Sequence, residues 1–161
     1  TESITLFIMK KLLLVLALAL FSFTSNAQFS VGASVGLPTG DVSNFSDFAL
    51  SADIAYMMPT DNDVSFGFAS GYLSYFVDNS DNASFLPLAG AFRFLASDKF
   101  SLGADFGYAV GLNEGNDGGL YYRPMVGYSV GENTTINLYY SGISNDGENA
   151  TNIGLGVMFG I

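Results

Sequence analysis

The chain has 161 residues, of which 49% are hydrophobic and 15% aromatic but only 12% charged, with a formal net charge of -10. An ordinary soluble domain devotes about a quarter of its residues to charge, so one domain of this composition has too few charges to coat a water-facing surface. With no Cys and no His there is no thiol nucleophile, no Ser-His-Asp or Cys-His arrangement and no usual zinc ligand, and five Lys and Arg in all are too few to grip nucleic-acid phosphates; no catalytic residue, cofactor, metal or nucleic-acid partner is expected.

The first element is a leader. Met9-Lys10-Lys11 is followed by an apolar run over 12–23 and by Thr24-Ser25-Asn26-Ala27 before Gln28. A charged start, a short apolar stretch and a small-x-small end form a secretory signal. It predicts a signal peptide over 9–27, cut between Ala27 and Gln28, inside a leader of 1–27 whose first eight residues precede the natural start. About a dozen apolar residues fall short of the ~20 that span a bilayer as a helix.

The mature part, 28–161, alternates with period two throughout, which is the strand signal. Eight runs are predicted, over 29–37, 48–58, 64–76, 85–96, 100–112, 120–130, 134–143 and 151–161. Each is longer than the ~5 to 6 residues usual in soluble strands and close to the ~9 to 11 that a tilted membrane strand needs. Longer connections at 38–47, 77–84, 113–119 and 144–150 alternate with tight Gly/Asn/Asp/Pro turns at 59–63, 97–99 and 131–133. In an up-and-down meander the four longer loops then share one rim and the turns the other, as in outer-membrane barrels.

Alternation alone does not say which face is inside. In the fifth run one face carries Phe100, Leu102, Phe106, Tyr108 and Val110, and the other Ser101, Gly103, Asp105, Gly107 and Ala109. Eight strands enclose an interior just wide enough for side chains to fill, so the small face fits inside and the bulky face meets lipid. The first run repeats this, with Val31, Val35 and Leu37 against Gly32, Ser34 and Gly36. Aromatics such as Phe48, Phe76, Phe100, Tyr122 and Tyr140 gather toward run ends, where interfacial girdles lie. The expected fold is all-β: an eight-stranded antiparallel up-and-down transmembrane β-barrel preceded by a cleaved signal peptide.

The mature chain resembles the small outer-membrane barrels of the OmpA and OmpX type, and more closely a porin-like barrel family common in Bacteroidetes. The resemblance is carried by Val35-Gly36-Leu37-Pro38-Thr39-Gly40-Asp41, by residues 103–113 and 116–124, and by Tyr140-Ser141-Gly142-Ile143-Ser144. It implies a barrel in the outer membrane of a Gram-negative cell and no transferable activity. Barrels of this kind usually end on an aromatic residue for the assembly machinery, whereas here Ile153, Leu155, Val157 and Phe159 alternate and Ile161 is last.

Four charged residues fall within the predicted strands, Asp53, Arg93, Asp105 and Arg123, and all can face the lumen. If strands four and five pair about Lys99, Arg93 stands opposite Asp105; centred on Asp98, the two lie on a diagonal within reach. Because an isolated buried ion is costly, they predict an ion-pair cluster plugging the barrel at mid to lower height. The longer loops hold Asp41, Asp47, Asp78, Asp81, Glu114, Asp117, Asp146 and Glu148 with no basic residue, an acidic outer rim. Runs such as Asn145-Asp146-Gly147-Glu148 are ordinary turn chemistry lacking EF-hand spacing, with divalent-cation bridging to lipopolysaccharide phosphates the minority reading.

These features point to a non-enzymatic integral barrel with a narrow, largely occluded lumen, structural or surface-interacting. The alternative is a narrow porin-like channel for small solutes or ions; a lipid-modifying enzyme and a soluble lipocalin-like binder rank below both. Its expected surroundings are outer-membrane lipid and lipopolysaccharide, its partner in biogenesis the barrel assembly machinery, and its expected state a monomer.

Overall fold

Where β-formers alternate with Gly, Ser and Ala over a dozen residues, each strand has one bulky and one small face, and a sheet of eight such strands curls with the small face inward. A computed structural model of the chain describes residues 2–22, 28–44, 46–60, 62–77, 82–146 and 148–161. Its elements are a helix α1 (Glu2–Ser22) and strands β1 (Gln28–Thr39), β2 (Ser46–Pro59), β3 (Val64–Val77), β4 (Ala83–Leu95), β5 (Phe100–Gly111), β6 (Gly119–Ser129), β7 (Thr134–Asn145) and β8 (Glu148–Gly160). Each strand pairs antiparallel with the next and β1 pairs with β8, so the sheet is a closed eight-stranded up-and-down barrel. Among the described residues no helix is long and apolar enough to cross a membrane. The predicted cut after Ala27 falls outside the described residues, and Gln28 begins β1.

The bulky face is outside. On β5, Phe106 is 63% exposed while its neighbours Asp105 and Ala109 are 3% and 0% exposed. Phe106, Tyr108 and Val110 all point away from the axis. Outward aromatics pair across strands near the rims, Phe48 stacking on Phe76 at 4.6 Å and Phe100 meeting Tyr128 at 5.0 Å. On the outer wall of β6 and β7, Tyr122 lies across its register partner Gly142, whose missing side chain leaves room for the ring.

Two expectations about the rim are corrected. The connection predicted over 144–150 is a tight hairpin: Asn145 pairs with Glu148, and Asp146 has a φ of 48°. Asp is among the residues that accept the positive φ of a tight hairpin turn, so the strands run on to Asn145 and Glu148, and Glu148 belongs to β8. Asp47 likewise lies within β2, beside an irregularity in its pairing with β3. The length contrast between the two rims is correspondingly weaker than predicted, although a 3-10 turn at Gly40–Asn44 and the connection over 112–118 do lie at the loop rim.

Gly142→Val forces the Tyr122 ring off the wall. We expect it to lower stability by about 1–3 kcal/mol, an overpacking cost, measured as an earlier urea midpoint by tyrosine fluorescence; an unchanged midpoint would show that the ring's seat is not structural.

Candidate functional site

The lumen has three tiers. At the loop rim, Leu73 and Tyr75 of β3, Phe85 of β4, Tyr121 of β6 and Ile143 of β7 turn inward and meet Val42, folded over them from the 3-10 turn. Tyr75 is fully buried, sits edge-on to Phe85 at 6.2 Å and accepts a 2.9 Å hydrogen bond from the Asn152 amide. The same amide donates to Ser141 at 2.7 Å. Alternation alone does not predict this apolar and aromatic plug. Its signal is in the sequence as doubled bulky residues, Tyr72-Leu73, Tyr75-Phe76, Phe85-Leu86 and Tyr121-Tyr122, which break the alternation and place one member of each pair inside.

The charged tier lies beneath the plug. Arg123 of β6 reaches Asp53 of β2 at 3.1 Å, and Arg93 of β4 reaches Asp105 of β5 at 2.7 Å. In a closed ring of eight, β2 and β6 stand on opposite walls, so the first pair crosses the whole lumen. Its ends are fixed on both sides. Ser34 and Ser51 donate to the Asp53 carboxylate at 2.8 and 3.1 Å, while Arg123 Nη2 donates to Ser34 at 3.2 Å and its guanidinium lies 4.0 Å over the Tyr139 ring. Arg93 pairs with Asp105 on a diagonal, because Arg93 is in register with Gly103 and Ala91 with Asp105; this is the register centred on Asp98. Asp105 and Arg123 are register partners, so the four charges follow one another as Asp53, Arg123, Asp105 and Arg93 with signs alternating. Gly103 and Gly156 make this feasible: a Cβ on either would lie 2.7 Å from Arg93 Cδ or 2.9 Å from Ser34 Cβ.

The third tier is a cavity. From the ion pairs to the turn rim extends a cavity of about 390 Å³, walled by Arg93 and Asn137 at depth, by Met57, Met125 and Met158, and by small hydroxyl residues. The ion pairs thus lie at mid height, with the cavity below them.

Among the described residues the acidic side chains of the loops do not assemble into a cluster. Glu114 and Asp117 are exposed in the connection over 112–118, Asp146 is exposed at the last turn, and Asp41 lies in the 3-10 turn. Asp78 and Asp81 lie outside the described residues, as do the side chains of Asp41 and Glu148. Among the described residues no three acidic side chains converge as a metal site.

A family model described as "Putative MetA-pathway of phenol degradation" matches residues 7–161. A search of curated proteins gives no match. Among solved structures the chain is similar to Ail, the attachment invasion locus protein of Yersinia pestis, with a TM-score of 0.62 at 15% identity over 84% of this chain and 97% of that one. It is also similar to the N-terminal β-barrel domain of Pseudomonas aeruginosa OprF, with a TM-score of 0.57 at 17% identity over 85% and 98%. Neisserial surface protein A gives a TM-score of 0.51 at 17% identity over 84% and 97%. At such identities the likeness is one of fold, the small closed barrel.

Arg123→Leu leaves Asp53 buried without its cation, and we expect a loss of about 3–5 kcal/mol, the usual cost of breaking a buried pair from one side. Adding Asp53→Leu should restore most of that loss. A double-mutant cycle read from urea unfolding in micelles checks this, and strict additivity would mean that the cross-lumen pair contributes no coupling.

Proposed function

The chain belongs to the family described as "Putative MetA-pathway of phenol degradation", and from that premise we propose that it is an integral outer-membrane barrel, structural or surface-interacting, whose lumen is closed to solute flow. Its place in any pathway is then at the membrane and not in the chemistry. The chain has neither His nor Cys, and the four lumen charges are engaged in ion pairs. The membrane setting is supported by the outer wall, where large apolar residues such as Phe68, Phe106 and Leu138 are 66%, 63% and 52% exposed. Water would not tolerate that wall, and lipid demands the closed ladder that accompanies it. Outer-membrane lipid and lipopolysaccharide are its surroundings in this reading, and the barrel assembly machinery inserts it.

The observation that carries the closed lumen is the Arg123–Asp53 bridge spanning the barrel beneath the Tyr75 and Tyr121 plug. The second reading, a narrow channel, draws on the cavity of about 390 Å³ below the bridge. The two part company in planar bilayers. The closed lumen predicts no reproducible unit conductance, and steady unit steps would replace it with the channel.

The wall makes its own prediction. Phe106→Arg puts a cation on the lipid face, and refolding into vesicles should lose about 2–4 kcal/mol if that position lies near the bilayer midplane. The wild-type protein should migrate faster in SDS before boiling than after; absence of this shift together with partition into the aqueous phase would point instead to a soluble binder.

A further inference from the structure

The cavity below the ion pairs is of the size of small-molecule sites, which run from about 300 to 1,000 Å³, and its walls are chemically particular. Met57, Met125 and Met158 face into it from β2, β6 and β8, whereas Met58, next in sequence to Met57, points outward at 46% exposure. Three thioethers on three strands give a soft, polarizable lining that favours contact with aromatic rings. At the deep end stands Arg93, whose hydrogen bonds to Phe92 O, Ala104 O and Asp105 all leave from Nη1, so the rest of its guanidinium borders the cavity. A guanidinium edge or face is a second partner for a ring. Asn137 and Ser101 add an amide and a hydroxyl to the same wall.

Charge narrows the class of occupant. Arg93 is already neutralised by Asp105, and among the described residues the other charged group on the wall is Asp63, exposed at the mouth. An anion at depth would have no cation of its own and would pass a carboxylate on entry; a cation would meet Arg93. Burying an unpaired ion is costly, whereas a hydroxyl needs only one or two hydrogen bonds. We infer that this chamber is a binding site for a small uncharged aromatic molecule bearing one hydroxyl, its ring among Met57, Met125 and Met158 and its hydroxyl toward Arg93 and Asn137. The inference rests on the lumen being closed above the ion pairs, which makes the chamber blind: the ligand enters and leaves at the turn rim.

The test is nuclear magnetic resonance of the full chain in detergent micelles with ¹³C-methyl methionine, titrated with phenol. The methyls of Met57, Met125 and Met158 should move upfield and saturate together while Met58 stays in place. Sodium benzoate at the same concentrations should leave all four unmoved. Ser101→Phe, or Thr135→Phe from β7, fills the chamber and should abolish the shifts in protein that retains heat-modifiable migration. Three results would overturn the proposal: no movement of the three methyls, equal movement of Met58, which reports phenol dissolved in the micelle, or equal shifts with benzoate. The methyls are read without a voltage or a gradient, so the chamber and the closed lumen tested by bilayer recording can each fail alone.

Discussion

Arg123 reaches Asp53 from the opposite wall, and nearly everything inside the barrel is arranged around that crossing. A side chain can span the lumen only where its neighbours are small, and Gly156 and Ser34 stand along its path. Having crossed, it must find a counter-charge already held in place, which Ser34 and Ser51 provide by donating to Asp53. The second pair, Arg93 with Asp105, occupies the adjoining arc of the same tier and leaves the whole set neutral. In a lumen organised by charge in this way, moving any one group leaves another buried and unpaired.

The outside of the barrel obeys a different constraint. In the proposed membrane setting hydrocarbon offers no hydrogen bonds, so each backbone group has to be satisfied within the sheet, and only a closed ring does this for all strands at once. Proline tests the rule. Pairing between β3 and β4 is interrupted opposite Pro87, and between β6 and β7 beside Pro124, since proline has no N–H to give. At the first interruption the Ser70 hydroxyl donates to the Pro87 carbonyl at 2.7 Å, replacing part of what the ladder lost. The wall therefore closes without being uniform.

How much of this was legible in the sequence follows from the same two constraints. Strand number, order and outward face were readable because lipid imposes one rule on every strand, and Phe106 and Asp105 could be assigned to opposite faces by alternation alone. The register between β4 and β5 was readable only to within two candidates, since the turn residues Asp98 and Lys99 serve equally well as its centre. The last hairpin departs from its predicted bounds for a physical reason: near the rim both faces of a strand are polar, so Glu148 and Asn149 look like loop by composition although they are paired strand. The Arg123–Asp53 contact was out of reach of register arguments, because β2 and β6 share no ladder. The plug was legible in principle, as paired bulky residues that interrupt alternation in β3, β4 and β6.

The two ends of the lumen are filled by opposite strategies, and the difference bears on what the barrel is for. Near the loops the interior is packed with Tyr75, Phe85, Tyr121 and Ile143, as in the core of a soluble protein. Near the turns the same eight strands turn Ser30, Ser65, Ser101 and Ser129 inward and leave about 390 Å³ open. Stability alone would favour filling both ends, because buried apolar volume stabilises and voids cost. The unfilled end is also the one flanked by methionines, residues suited to shifting contacts more than to fixing a unique packing. If the turn-side chamber takes a small guest as proposed, a packed loop end, a neutral floor and an adaptable wall are what such a site would use.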